Sequence, residues 1–524
     1  MISLSLYIFL KNRAPIISFL RSEWPVLLVM DCLFLVIFVF WIIIASQHPA
    51  INHTEKPMDF AFLNAVASST HFPPVDPWFS GHPISYYYFG HLIMATLAKV
   101  TFTPLAIAYN IAISLIPALL AIGSFGLIYN LIRLSNSSRK ISLIYSVITP
   151  ALLLFMSNLQ VPLEIAHTRG WFEPGFWDWA QIKGLNGINN SSSGFFPTDT
   201  WWWWRATRVV DTLVSGQSLD YTITEFPLFS FILGDLHPHV LSLPFLVLFL
   251  SLMSNMYLSP FSFNKSWIKR NPLEYGSIAL ILGSIAFINL WDAPTYLLLL
   301  ILLVFAKALP SPSTERIDEV VYPKIRDLLI VTWKTVGFCF PIFMASILLF
   351  LPFYLSLHGQ IDGISPYYGP GTRIFHFIIV MGIPLILSLL FLFNKLNIRY
   401  ILHGKTSAIT TLVLVISFTP ITLWLLIKLL LPEYLGLFAT HHFNPVKPLT
   451  IALPCTVILF FSITSSFKAS RTSKEQITSY LSIILGVGLL LITGSELYYL
   501  LDPVSYTHLR AHETREDRGL GGVL

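Results

Sequence analysis

Charge is scarce in this chain. Of its 524 residues, 11% are Asp, Glu, Lys or Arg, against 55% hydrophobic and 15% aromatic. With a mean hydropathy of +0.69, that excludes a soluble globular protein, which could not hide so much apolar surface. Cysteine is scarcer still. Cys32, Cys339 and Cys455 each lie inside an apolar run and none forms a CxxC pair, so no disulfide framework or thiolate metal site is implied. There is no Gly-rich phosphate loop, Walker pattern, HExxH, DxD or nucleophilic Ser or Cys with partners, which removes the commonest nucleotide and zinc-hydrolase chemistries. Period-two alternation is absent, so a β-barrel is excluded. No internal repeat is visible. No cleavable signal is evident either, because Lys11, Arg13 and Pro15 break the first segment.

What is present is a series of apolar runs near the ~20 residues that a membrane-spanning helix requires. The pattern predicts an all-α, polytopic transmembrane bundle with eleven spans, at about 25–45, 105–132, 141–158, 239–258, 274–290, 295–309, 328–352, 374–394, 407–430, 448–466 and 478–500. The net charge of +5 needs no nucleic acid, because cytoplasmic loops of membrane proteins collect Lys and Arg. Basic residues fall in every second connection: the start (Lys11, Arg13, Arg21), then 133–140, 264–270, 307–326, 395–405 and 468–474. This predicts a plasma-membrane protein with a cytoplasmic N-terminus. Loops 46–104, 159–238, 291–294, 353–373 and 431–447 then lie outside, and 86–100 is an interfacial helix.

One transmembrane domain is expected over 1–504. Residues 505–524, SYTHLRAHETREDRGLGGVL, carry six charges and no apolar run, and resemble translated sequencing-adapter read-through. They are expected to be foreign to the natural chain, so His508 and His512 are given no role.

The outer loops hold the chemistry. Glu55, Asp59 and Asp76 cluster in the first, where Pro57 suits the opening turn of a helix over 57–69. Asp59 reads as a helix-terminal carboxylate favoured by the dipole, or as a functional acid. Gly234-Asp235-Leu236-His237-Pro238-His239 can hold a structural histidine, bind substrate, or grip a divalent cation. Asp292, in Asn289-Leu290-Trp291-Asp292-Ala293-Pro294, reads as a helix cap or as a functional acid near the membrane. Trp171, Trp177, Trp179 and the run 201–204 read as an aromatic belt, or as a stacking platform with Arg205 and Arg208 close to a phosphate. Tyr367, Tyr368 and Arg373, and His441, His442, Asn444 and Lys447, are either polar site residues or solvated loop.

Glu55 to Asp59, Pro73-Pro74-Val75-Asp76-Pro77-Trp78, Tyr86-Tyr87-Tyr88-Phe89-Gly90-His91, Phe226 to His239 and Asn289 to Pro294 together resemble the triple-tyrosine family of archaeal and bacterial multi-spanning proteins (Chlor_Arch_YYY). The resemblance runs over about residues 25–502. Members of that family usually carry more helices before the first outer loop, and a segment beyond Tyr499, so the chain is expected to be a fragment. The layout is also similar to that of GT-C glycosyltransferases: an outer acidic residue after the first span, a proline–tyrosine segment, then the second span. This implies glycosyl transfer from a polyprenyl-phosphate sugar on the outer face. Asp59 or Glu55 is the expected base. Asp235, His237, His239, Arg205 and Arg208 face the donor phosphate, directly or through a divalent metal, and Tyr86, Tyr87 and Tyr88 line the acceptor groove. Asp76, His91 and Asp292 complete the expected binding set. The rival readings are a transporter or flippase for a lipid-linked or polyanionic solute, and a non-catalytic assembly component.

Overall fold

The structure is a computed structural model. It describes residues 2–501 except 80, 186–196, 198–201, 215–216, 219–220, 261–264, 310–324, 358–362, 368, 396–407, 431–445 and 467–471. Trp201, Tyr368, His441, His442, Asn444, parts of the basic loops and the segment 505–524 lie outside the described residues.

Lipid offers no partner for backbone N–H and C=O groups, so each apolar run closes its own hydrogen bonds as a helix. The first half holds α1 (Ile2–Lys11), α2 (Arg13–Gln47), α3 (Lys56–Ser68), α4 (Phe89–Val100), α5 (Leu105–Leu134), α6 (Arg139–Phe155), α7 (Gln160–Thr168), α8 (Pro174–Ala180), α9 (Trp202–Arg205) and α10 (Pro227–Leu233). The second holds α11 (Pro238–Leu258), α12 (Lys265–Arg270), α13 (Pro272–Ile288), α14 (Asp292–Ala308), α15 (Ile325–Leu349), α16 (Leu351–Ser356), α17 (Ile374–Lys395), α18 (Ala408–Leu430), α19 (Leu449–Ser466) and α20 (Ser473–Leu497). Two small antiparallel pairs join loops: β1 (Leu213–Val214) with β2 (Gln217–Ser218), and β3 (Gly363–Pro366) with β4 (Tyr498–Leu501).

All eleven expected spans are helices, but the count changes. Among the described residues eight helices are long and apolar enough to cross a membrane alone: α2, α5, α11, α15, α17, α18, α19 and α20. A ninth arises if α6 and α7, bent by 59° at a short break, form one broken span. The helices α6, α13 and α14 have 17 residues each, and that length reaches only about 26 Å, short of the ~30 Å hydrocarbon core. The expected interfacial helix is α4, with 12 residues.

Side-chain ties sort the helix ends onto two faces. On one face Trp41 stacks on Phe155, Asn110 donates to the Pro49 carbonyl at 3.1 Å, and Ser242 donates to Asp292 at 2.7 Å. Phe353 stacks on Phe287 there, and Trp424 donates to the Tyr367 carbonyl beside the β3–β4 pair. On the other face Arg139 pairs with Glu23 at 2.9 Å, Lys307 donates to the Tyr257 and Ser259 carbonyls, and Tyr257 meets Ser479 at 2.7 Å. The loops carrying Glu55, Asp235 and Asp292 therefore share one face.

Small residues allow close helix approach where lipid supplies no hydrophobic drive. A Cβ at Gly283 on α13 would lie 2.5 Å from the Phe350 ring and 2.6 Å from the Ser346 carbonyl oxygen of α15. Gly283→Val is therefore expected to cost about 1–3 kcal/mol, measured by thermal unfolding in detergent. Gly276→Ala, on the same helix with nothing within 4 Å of its Cβ, is the control expected to leave stability intact.

Candidate functional site

The site begins where α3 begins. His53 and Thr54 both hold left-handed backbone (φ 67° and 49°), unfavourable for residues other than glycine, and Pro57 fixes the first turn of the helix. The bend carries Thr54 and Glu55 to the corner between α10 and α11. That corner turns at Gly234, at φ 71°, as the left-handed cap of α10, and Pro238 opens α11. The Lys56 ammonium lies so close to Gly234 that a Cβ there would be 3.5 Å from it.

Across this junction Thr54 Oγ1 donates to Asp235 Oδ1 at 2.8 Å, and the Glu55 backbone N–H donates to Asp235 Oδ2 at 3.4 Å. Glu55 Oε2 lies 2.5 Å from His237 Nε2, while His237 Nδ1 is 3.8 Å from Asp235 Oδ2. The His237 and His239 rings stack at 5.4 Å, and His239 Nε2 is 3.3 Å from Glu225 Oε2, which also accepts from Ser230. The Glu55 and His239 side chains are 53% and 46% exposed, whereas Asp235 is 1%. The result is a row of alternating carboxylates and imidazoles, open along one edge.

Environment sets their charges. Burial pushes the His237 imidazole down, but the hydrogen bond and charge of Glu55, with Asp59 and Asp235 behind, raise it to about 9. The His237 hydrogen bond holds Glu55 below its ordinary value, against burial. Burial raises Asp235 to about 6 despite the Thr54 hydrogen bond. Burial also raises Tyr86, reinforced by the charges of Glu55 and Asp59.

Asp59 lies one helical turn beyond Glu55 and is wholly buried, as is His91, with Oδ1 3.8 Å from His91 Nε2. Neither Asp59 oxygen and neither His91 nitrogen has a hydrogen-bond partner. Asp59 does sit in the first turn of α3, as its helix-terminal reading expected, but its carboxylate accepts no N–H of that turn. Asp292 does not cap α14 through a hydrogen bond either: its Oδ2 accepts from Ser242 and Asn289 and ties α14 to α11 and α13.

Other expected members stand apart. Asp76 turns Oδ1 onto the backbone N–H groups of Trp78 and Phe79, at 2.8 and 3.0 Å, inside its own hairpin. Tyr88 is buried edge-on against Phe287, so it lines no groove, while Tyr86 and Tyr87 are half-buried. Arg205 is committed to a carboxylate that sequence reading missed. Its Nε and Nη2 donate to Glu164 Oε1 and Oε2 at 2.9 and 2.8 Å, and Gln160 adds a third bond. The pair with Glu164 occupies the Nε and Nη2 atoms of Arg205. The Arg208 guanidinium lies 4.2 Å from the Trp204 ring centroid. Trp203 and Trp204 pack on Phe229, Trp177 is buried against His167, and Trp171 and Trp179 are exposed. Arg373 donates to the Trp179 and Ala180 carbonyls and His376 meets the latter, which pins the end of α8. Among the described residues no group of three His, Cys, Asp or Glu side chains is arranged to hold a metal ion, and His237 and His239 each face a carboxylate instead.

A model of the family described as "Uncharacterized membrane protein (DUF2298)" matches residues 1–511. No curated protein and no solved structure matches the chain. The likeness to GT-C transferases thus rests on the order of elements along the sequence.

Two outcomes follow from this geometry. Glu164 is 1% exposed and Arg205 16%, so Arg205→Ala strands a buried carboxylate. The expected loss is about 3–5 kcal/mol, read as a lowered melting temperature. The Glu55–His237 pair dictates a pH window. Because His237 is raised from 6.5 to about 9, its contribution to stability is whole below 6.5 and is lost as pH rises through about 9. Glu55 is lowered, so its share is present above 4.5 and is lost as pH falls through its lowered value. Glu55→Gln is expected to drop the His237 pKa well below 9 and flatten the loss of stability toward pH 9, as read by histidine NMR titration and melting curves against pH.

Proposed function

The chain belongs to the DUF2298 family of uncharacterised membrane proteins, and for it we propose glycosyl transfer from a polyprenyl-phosphate sugar on the extracytoplasmic face of the plasma membrane. The observation that supports this most is the half-exposed Glu55–His237 pair, backed by buried Asp235, where the two large outer loops meet. The alternation of basic loops in the sequence supports a reading in which the N-terminus is cytoplasmic and this junction lies outside.

In this reading the acceptor hydroxyl hydrogen-bonds to Glu55 Oε1, since Oε2 is held by His237. The acceptor oxygen bonds to the anomeric carbon as its proton passes to Glu55. The sugar–phosphate C–O bond breaks, and the phosphate leaves with the electron pair. His237, cationic at neutral pH, faces that phosphate together with His239 and Lys56. A carboxylate held low by an imidazolium is a weak base. The incoming donor phosphate competes for the imidazolium N–H, frees Glu55, and so raises its basicity at the moment the acceptor is in place. Asp235 positions both, through Thr54 and the Glu55 backbone. Tyr86 and Tyr87 border the acceptor.

A transporter or flippase would concentrate polar groups near the bilayer midplane, at the interface of repeated halves. Here the charged pairs gather at the helix ends, which favours an enzyme. The test is turnover of a polyprenyl-phosphate sugar by the full chain in proteoliposomes, beside a flipping assay. Glu55→Gln is expected to lower turnover by about 10²–10⁴-fold with flipping absent throughout. Undiminished turnover in Glu55→Gln would remove Glu55 from the reaction, and flipping without transfer would establish the rival.

A further inference from the structure

Two cations that the Glu55–His237 junction does not use stand together beside the β3–β4 pair, on the same face of the molecule. They are Arg373, just ahead of α17, and Lys447, just ahead of α19. Gly371 brings their segments together. At φ 65° its backbone packs so closely on the chain before α19 that a Cβ there would lie 2.9 Å from the Pro448 nitrogen and 3.2 Å from the Lys447 carbonyl carbon. The next residue, Thr372, donates its N–H to Glu496 Oε2, near the end of α20, at 3.4 Å. Arg373 follows, and neutral oxygens hold its guanidinium: the Trp179 and Ala180 carbonyls at 2.7 and 2.9 Å, and Gln181 Oε1 at 3.3 Å.

Charge is out of balance here. Among the described residues neither cation has a carboxylate within ion-pair distance, and the Lys447 ammonium makes no hydrogen bond. Both side chains are half-buried. Burial, and next the charge of Arg373, pull the Lys447 ammonium below its ordinary value, and Glu496 opposes them. Glu496 is one carboxylate against two cations. The other acid nearby, Asp211, acts on His376 and already accepts from the Thr212 N–H and the Ser218 hydroxyl. Two like charges drawn partly out of water cost free energy that an anion between them would offset.

The surroundings say what would carry that anion. Next to the cations α17 and α19 are apolar membrane-spanning helices, with Ile374, Ile378, Leu453 and Val457 exposed as lipid-facing residues are. The exposed Trp179 ring, its centroid 5.5 Å from the Arg373 guanidinium, suits the level of lipid headgroups. Basic pockets between helix ends at that depth bind lipid head groups.

We propose that Arg373 and Lys447 form a second binding site, which takes the phosphate of an anionic membrane lipid. Lys447 supplies an uncommitted ammonium and Arg373 a charge fixed in place by α8. Trp179 flanks the headgroup, and the lipid chains run along α17 and α19. Glu496 is a positioning residue: by holding Thr372 it sets the turn from Gly371 to Arg373. The bound lipid ties α8, α17 and α19 together at one end. This site is separate from the Glu55–His237 junction and does not rest on glycosyl transfer.

The test is native mass spectrometry of the full chain released from nanodiscs of phosphatidylglycerol and phosphatidylcholine. Wild type is expected to retain one phosphatidylglycerol in preference to phosphatidylcholine. Lys447→Gln and Lys447→Glu are expected to lower that retention about tenfold or more, and Arg373→Gln to act likewise. Lys99→Gln, at the exposed end of α4, is expected to leave it intact. Should Arg373→Gln fail to fold because α8 is unpinned, Lys447→Gln decides, since its side chain makes no hydrogen bond that the fold would lose. Equal retention in wild type and the Lys447 variants, or no preference for phosphatidylglycerol, overturns the proposal. If inorganic phosphate displaces the lipid mole for mole, the site takes free phosphate and the lipid assignment falls. Glu55→Gln is expected to leave retention unchanged, which keeps this result apart from the transfer reading. Loss of the lipid in Glu55→Gln, with none in the Lys447 variants, would move it to the junction and overturn the second site.

Discussion

The polar clasp between Thr54–Glu55 and Asp235–His237 is the constraint on which the functional end of this molecule depends. It joins residues about 180 positions apart, and it explains local features that otherwise carry only cost. The left-handed backbone at His53 and Thr54, the left-handed glycine at 234 and the proline starts of α3 and α11 all serve to bring two loop corners together. Asp235 gives up solvent to accept from Thr54 and the Glu55 backbone. The hydrogen bond and charge of Glu55, with Asp59 and Asp235 behind, hold the His237 imidazole above its ordinary value. Glu55, half exposed, is thereby held by His237 with one edge open to solvent.

Around the clasp the bundle behaves as a membrane fold does. Helix contacts rest on packing and on buried hydroxyls returning their protons to carbonyls four residues back, as Ser146, Ser284 and Thr335 do. A few polar ties fix how helix ends register: Ser242–Asp292 at one end of α11 and α14, and Lys307 with the Tyr257 and Ser259 carbonyls at the other. These ties place the site elements on one face. The Glu164–Arg205–Gln160 network then secures the second large loop independently of the clasp.

Much of this was legible in the sequence because bilayer physics is written in long apolar runs. Every expected span is a helix, and α4 falls within 86–100, which the loop alternation had set aside as non-spanning. The span count was less legible: the expected spans over 274–290 and 295–309 were short already in the sequence, and α6, α13 and α14 each come to 17 residues. The acidic and imidazole residues stood out because charge is rare here, yet pairing was invisible. Nothing in the sequence separates Glu164, which satisfies Arg205, from Asp59, which satisfies nothing. The one available signal for Glu164 was its place four residues after Gln160 on a short helix between apolar neighbours. Asp76 and Tyr88 carried the right chemistry in the right loop, but the backbone N–H groups of Trp78 and Phe79 and an aromatic contact respectively claim them.

The central claim is that loops 46–104 and 159–238 meet outside the membrane as one site. The direct measurement is cross-linking in intact cells between cysteines placed at Glu55 and His237 in a chain lacking Cys32, Cys339 and Cys455, using a short thiol cross-linker that does not cross the membrane. The account predicts rapid, high-yield intramolecular linkage from outside, with no linkage for a control pair on opposite faces at Glu55 and Glu23. Linkage only after the cells are opened, or no linkage in either case, would contradict it.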